Sequence, residues 1–380
     1  MAALDFFQKV ATGLMAAVQS KSGTHQVTMP DFALTYEKTD ITADIRPYLI
    51  SYDYTDYLGD QSDELSVEFE DVDGKWLRTW YPSQGDSLSF SLGDQFTGMV
   101  ALGSFEISEI EYSLPPNVIT LKALSTGITR AQRTLQPKAY ENTTLDKIIR
   151  IIAGRLKLSV TGKVKDIKIE RVSQYQERDV EFLARLAKMY GHTFKIVDKT
   201  LVFMDNAELS GQDPIVVMLP EDIKSARFRD MIKAVPDKVV VTGYDNKAKQ
   251  TRQVQRKSKP LRPKDKRATT SDTLKIVANK GESEQQLGAR ADAALQDAQQ
   301  EQVACTLTMF GNAKLVAGQV VQLKEYGKFS GKYLVNQCRH SSRRNSGFVT
   351  TLEMKMIEYI EDVIETPKAK TEEKTNATPA

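Results

Sequence analysis

Residues 63–76 read DELSVEFEDVDGKW and residues 82–93 read PSQGDSLSFSLG, and these two phrases decide the fold. Leu65, Val67 and Phe69 alternate with Ser66 and Glu68, and Leu88, Phe90 and Leu92 alternate with serines. A period of two puts every second side chain on one face of an extended strand, so both phrases contain strands with one buried and one wet face. Asp73-Gly74, Gly85-Asp86 and Gly93-Asp94 punctuate them at the short intervals of an antiparallel barrel or sandwich.

Working outward, the period of two extends over about residues 27–130, with Pro115-Pro116 marking a further turn. Within 105–112 the apolar phase slips from Phe105 and Ile107 to Ile110 and Tyr112, which predicts a β-bulge. Ahead of this region, residues 3–18 set Phe7, Val10, Leu14 and Ala17 at helical spacing, so 1–26 reads as a short amphipathic helix and linker. Residues 131–206 change period. Leu145, Ile148, Ile149, Ile152 and Leu156 form one helical stripe with Thr143 as its cap. Phe182, Leu183, Leu186, Ala187 and Tyr190 form a second stripe, read as core, which Gly191 ends. Thr193–Ile196 and Thr200–Met204 then read as a hairpin, so this segment is a small α/β domain.

From 207 to 362 the β pattern returns in KVVVTGY, CTLTMF, QVVQLK, KYLVNQC and GFVTTLEMKM. It is interrupted at about 245–270 by a basic stretch, read as a mobile loop, and by a helix at 282–302 whose Leu287, Ala291, Leu295 and Ala298 make a narrow stripe suited to a flat surface. Residues 363–380 lack the apolar content to fold and read as a disordered tail. The fold class is therefore β-rich α+β, two β regions flanking a small α/β insert.

The chain's 380 residues suffice for two or three cores, and 52 basic against 50 acidic residues exert no general pull on nucleic acid or membrane. No apolar run is long enough for a membrane helix. Cys305 and Cys338 lie far apart without ligand spacing, so neither a disulfide framework nor a zinc site is indicated.

Catalytic patterns are missing: there is no GxSxG, HExxH, GxxxxGK[ST] or GxGxxG. His25, His192 and His340 have no partner at dyad spacing and read as packing or surface residues. The acidic run from Asp60 to Asp73 fails the EF-hand spacing, because Asp71-x-Asp73-Gly74 is followed by Lys75-Trp76. A strand with a charged outer face and a tight turn accounts for it. No cofactor or metal is expected. The candidate contact for a polyanion or an acidic partner is the basic stretch Lys247, Lys249, Arg252, Arg256, Lys257, Lys259, Arg262, Lys264, Lys266 and Arg267. It contains no aromatic side chain on which a base would stack.

Three stretches together resemble the phage late control protein D family, the hub proteins of contractile tails, whose fold is also that of the N-terminal part of VgrG spike proteins and of R-type pyocin hubs. They are the opening phrases at 63–93, ENTTLDKIIRIIAGRLKL with QYQERDVEFLARLAKMYGHTFKIVDKTLVF, and GNAKLVAGQVVQLKEYGKFSGKYLVNQCRHSSRRNSGFVTTLEMK. The N-terminal helix, the basic stretch and the tail depart from the family's pattern.

The resemblance implies a structural protein and not an enzyme, made of two tail-tube-like barrels, acting as a homotrimer that adapts a sixfold tail tube to a threefold spike. The implied partners are the tail tube protein, a separate central spike, other baseplate proteins and the tape measure protein, with nucleic acid only as DNA passing through the lumen and assembly in a bacterial cytoplasm. Gly311, Leu315, Gly318 and Gly331 are placed at turns facing a neighbouring subunit or the tube, with ordinary turn geometry as the plainer account. Two competing readings are a DNA-binding regulator using the basic stretch and a cell-wall hydrolase using paired carboxylates.

Overall fold

A computed structural model describes residues 5, 7, 20–21, 29–59, 61–95, 98–125, 135, 137–231, 235–245, 249–262, 270–279 and 281–362. The first half contains β1 (Pro30–Tyr36), β2 (Leu49–Tyr57), β3 (Glu64–Glu70), β4 (Ser87–Asp94), β5 (Gly98–Ser113) and β6 (Val118–Leu124). The middle holds β7 (Lys138–Thr144), α1 (Leu145–Leu156), β8 (Ser159–Thr161), β9 (Lys168–Gln174), α2 (Asp179–Tyr190), β10 (His192–Val197) and β11 (Thr200–Asp205). Then come β12 (Val216–Met218), β13 (Ile223–Asp230), β14 (Pro236–Asp245), β15 (Gln250–Lys257), β16 (Thr270–Val277) and α3 (Glu284–Gln300). The last strands are β17 (Val303–Phe310), β18 (Val320–Leu323), β19 (Gly331–Arg343) and β20 (Gly347–Tyr359).

The alternating phrases are strands β3 and β4, and Leu65, Val67, Phe69, Leu88, Phe90 and Leu92 are all buried in one core. Each such side chain contributes about 1.5–3 kcal/mol by leaving water. The acidic turn is a clasp and holds the chain to itself. Asp71 accepts from the Trp76 amide (3.1 Å) and from the Tyr112 hydroxyl (2.8 Å), while Trp76 stacks on Phe69 at 4.7 Å. The phase slip is the expected bulge, a register shift between Ile107 and Glu109 against β6.

Both helices of the insert form as their periodicity predicts, and Leu145, Ile148, Ile149, Phe182, Leu183 and Leu186 meet in one core. The cap of α1 is Thr144, one residue after the expected Thr143, because Thr144 is the last extended residue and its hydroxyl accepts from the Lys147 amide. Gly191 ends α2 at φ +70°, and the hairpin β10–β11 turns through Asp198 at φ +52°.

The two β regions are continuous with each other: among the described residues fourteen strands hydrogen-bond into one sheet, joined where β19 pairs with β2. Two expectations are corrected. First, KVVVTGY is not in the second β core. It lies in β14, the centre of a separate three-stranded sheet β15-β14-β16, and α3 covers one face through Leu287 and Ala291 packed on Val239 and Val241. Second, part of the basic loop is strand β15, because Gln250–Lys257 pairs residue by residue with Lys238–Asp245.

Phe7 is buried among Val197, Val202, Met204 and Val316, which ties the chain start to the insert and the second half, and Ser20–Lys21 pairs in parallel with Val216–Val217. The rest of the expected N-terminal helix, and the tail from 363, lie outside the described residues. Among the described residues no helix is long and apolar enough to cross a membrane.

Candidate functional site

Hydrogen-bond register exposes an internal repeat. The first half pairs its strands in the order β5-β6-β3-β2 and the second in the order β19-β20-β17-β13. In each, the first strand pairs with the second, the second with the last, and the last with the one before it. Local irregularities coincide as well. The register shift between Leu49 and Ser51 in β2 matches that between Ile223 and Ser225 in β13. The shift between Ile107 and Glu109 in β5 matches that between Val335 and Gln337 in β19. Gly85 donates to the Ile107 carbonyl (2.8 Å) and Ile107 to the Asp86 carbonyl (3.0 Å). Gly318 and Val335 do the same with Val335 and Gln319, at 2.8 and 2.9 Å. Both glycines have φ near +90°, the left-handed region that lets the chain turn into the strand.

The seam β2–β19 makes the halves one continuous eight-stranded wall, β5-β6-β3-β2-β19-β20-β17-β13. Its inner face is apolar apart from Asp56, Asp230 and His340. Its outer face carries Glu106, Glu109 and Glu111 on β5, Lys122 on β6, Glu64 and Glu68 on β3, Asp53 on β2, Arg339 on β19, and Arg227 and Arg229 on β13. Lys122 bridges Glu109 (3.2 Å) and Glu111 (3.6 Å), and Arg339 bridges Asp53 across the seam (2.8 Å). Exposed pairs like these contribute only about 0–1 kcal/mol each, so their arrangement says more about what the wall faces than about its stability.

Beneath the seam lies the most heavily buried charge cluster among the described residues, which sequence reasoning missed. Lys195, on β10 of the insert, meets Asp56 on β2 and Asp63 just before β3 (2.7 Å), all three side chains at 3% exposure or less. The ammonium also donates to the Tyr57 carbonyl (2.8 Å), and the second oxygen of Asp56 accepts from the Ala317 amide of the second half (2.8 Å). One cation thus fastens the insert to both halves of the sheet. Burial pushes the Asp63 carboxyl up to about 7, against the lowering pull of Lys195 and with the Asp56 charge adding to the rise. Burial also pulls on Lys195, but its two carboxylates hold its pKa above the ordinary lysine value. The repeat has a counterpart: Asp230, at the position in β13 that Asp56 occupies in β2, receives buried Arg262 at 2.7 Å. The only hint in sequence was an apolar-flanked Lys195 in the hairpin phrase HTFKIV, and 139 positions separate it from Asp56.

The sequence-derived residues are placed as follows. Gly311 abuts Phe348, whose ring would lie 1.9 Å from an added Cβ. Leu315 is buried, and its carbonyl accepts from His340 Nε2 (3.0 Å) and Cys338 Sγ (3.3 Å). That fixes His340 as the neutral Nε2–H tautomer with Thr350 on Nδ1 (3.0 Å), and burial holds its pKa down at about 4. Gly318 forms the turn already described, and an added Cβ on Gly331 would meet the Glu358 carbonyl at 2.2 Å. Internal packing therefore accounts for all four. His192 is also a packing residue, tilted against Phe203 at 5.0 Å, with burial again lowering its pKa to about 4; His25 lies outside the described residues.

The basic set does not converge. Arg256 is bonded to Asp292 of α3 (2.6 Å) and Arg262 is buried against Asp230, whereas Lys249, Lys257 and Lys259 are exposed and Arg252 is half-buried. Lys247, Lys264, Lys266 and Arg267 lie outside the described residues. Among the described residues no group of His, Cys, Asp and Glu is arranged to hold a metal.

A repeated strand meander around an α/β insert is a phage tail protein fold. The structure superposes on the 43 kDa tail protein of prophage MuSo2 from Shewanella oneidensis with a TM-score of 0.65, covering 86% of this chain and 98% of that one at 15% identity. In sequence the chain is 30% identical over 273 residues to the probable baseplate hub protein of Escherichia phage 186, covering 69% of this chain and 68% of that protein. It is 32% identical over 177 residues to the probable baseplate hub protein of Escherichia phage P2, covering 46% of this chain and 45% of that one. The phage tail baseplate hub (GPD) family matches residues 125–346, and the chain belongs to that family. It is a baseplate hub protein, and its place is the virion tail.

Proposed function

We propose that three copies of this chain form a ring of pseudo-sixfold symmetry that adapts the sixfold tail tube to the threefold central spike, a structural and non-catalytic role. The observation that carries this reading is the repeat: one chain presents the same four-strand order twice, so three chains present it six times. Eight strands per chain give twenty-four in the ring, enough to enclose an aqueous lumen. A wall that is polar on its outer face and apolar beneath suits the lining of a channel through which DNA passes. The partners on this reading are the tail tube protein on one side, a separate spike on the other, the remaining baseplate proteins around the rim, and the tape measure protein. Residues 311–318 and 331 contribute by shaping the turns of the second half. A regulatory DNA-binding role would need a continuous basic surface, and Arg256 and Arg262 are already committed to carboxylates. Light scattering on the purified protein, alone and with tube and spike proteins, tests the reading: a threefold mass is expected, and a chain that stays monomeric in every mixture overturns it.

A further inference from the structure

The seam inside one chain is a template for the contact between chains. At the seam, the first strand of one repeat (β2) pairs with the next-to-last strand of the other (β19). The matching strands at the two ends of the wall are β13 and β5. Among the described residues β13 pairs with β17 alone, and β5 beyond Ile107 pairs with β6 alone. We propose that β13 of one copy pairs antiparallel with the 109–113 end of β5 of the next copy, in the register of the seam, so that Glu111 lies opposite Arg229 and Tyr112 opposite Phe228. This rests on the ring reading above and names its interface.

The register follows from the repeat without adjustable choice. The shared shifts align Ser51 with Ser225 and Gln337 with Glu109. The seam sets Arg339 opposite Thr55 and His340 opposite Tyr54. Moved to the equivalent positions, those pairs become Glu111 with Arg229 and Tyr112 with Phe228. The chemistry then matches at both. Tyr54 and His340 stack at 6.1 Å and 3° beneath the seam, and the equivalents Phe228 and Tyr112 are both aromatic and half-buried. Above the seam Arg339 bridges Asp53; their equivalents are Glu111 and Arg227, the same ion pair with its charges exchanged. Glu111, Arg227 and Arg229 are all exposed in the single chain. An edge strand with an acidic row and an edge strand with a basic row select each other and reject their own kind, which gives a head-to-tail contact of the sort that closes into rings.

The test is a cysteine pair, Glu111→Cys with Arg229→Cys in the same chain, oxidised in solution, beside an out-of-register control, Glu109→Cys with Arg229→Cys. Directly opposite residues lie about 4.5–5.5 Å apart between Cα atoms, inside disulfide reach, whereas a two-residue offset exceeds it. The native Cys305 and Cys338 are buried and supply the background in the unsubstituted chain. The expected result is a reducible ladder of crosslinked dimer and trimer from the first pair and loss of that ladder in the control. As a second measurement, Glu111→Arg and Arg229→Glu should each lower assembly, and the two together should restore it. A protein that is trimeric by scattering but gives no ladder from the in-register pair, or an equal ladder from the control, overturns this register and leaves the ring reading standing. A protein that is monomeric throughout overturns both.

Discussion

Replacing Lys195 with Met removes the cation at the junction of the insert with the sheet and is the most informative single change. The methionine side chain fills much of the lysine volume, so the effect is electrostatic and not a cavity. What remains is two carboxylates with Asp56 fully buried and Asp63 nearly so, and a Tyr57 carbonyl without its 2.8 Å donor. Breaking a buried ion pair by removing one partner costs about 3–5 kcal/mol, because the surviving charge has neither water nor counter-ion. The Ala317 amide on Asp56 and the Tyr57 amide on Asp63 (3.1 Å) soften this, which places the expected loss toward the lower end of that range at pH 7. Urea denaturation followed by the fluorescence of Trp76 and Trp80, both in the first half, reads the loss directly. The deficit should shrink as pH falls from 7 to 5, since Asp63, whose carboxyl burial pushes up to about 7, escapes the penalty by taking up a proton. A loss below about 1 kcal/mol at pH 7, well under what a broken buried pair costs, or a deficit that grows on acidification, would refute the view that the cluster holds the insert to the sheet.

Asp63→Asn tests the same cluster from the proton side. The Asp63 pKa is raised to about 7 in the fold, so its share of stability is complete below the unfolded value and is lost as pH rises through about 7. His192 and His340, held near 4, act in the opposite sense and cost stability as pH falls below the ordinary histidine value. The variant therefore should lose more stability between pH 7 and 5 than the wild type does; equal slopes in denaturation midpoints would contradict the assignment. Gly311→Ala forces the Phe348 ring aside from a 1.9 Å approach, with an expected cost of about 1–3 kcal/mol and a lower melting temperature, whereas an unchanged melting curve would mean that the turn yields freely.

Much of the local structure was legible in order along the chain, for reasons particular to each element. Strands β3 and β4 announced themselves because one face of each is wet, and α1 and α2 because each buries a single stripe. Even the bulge at Ile107–Glu109 showed as a slip in apolar phase. The basic stretch misled because its charges were counted without asking what lay opposite. Apart from Val254, β15 carries polar side chains on both sides, a pattern that reads as loop until β14 is seen to pair with it, Val241 opposite Val254. The cap of α1 was displaced by one residue because two adjacent threonines satisfy the same rule and only the backbone decides between them.

By itself the sequence determined the class of most segments, the β, α/β, β order and the hub family, since these depend on spacing within a few residues of one another. The tertiary structure alone decided the repeat and the lock. Equivalent positions of the two halves share Ser51 with Ser225 and Asp56 with Asp230, yet set Asp53 against Arg227, so the halves are alike in backbone pairing and unlike in side chains. A main-chain hydrogen-bond ladder accepts almost any side chain on its wet face, so such a likeness leaves little trace in the residues. The lock is hidden for a related reason: Lys195, Asp56 and Ala317 lie on three elements far apart in the chain, and only folding brings the cation out of water and into reach of both halves.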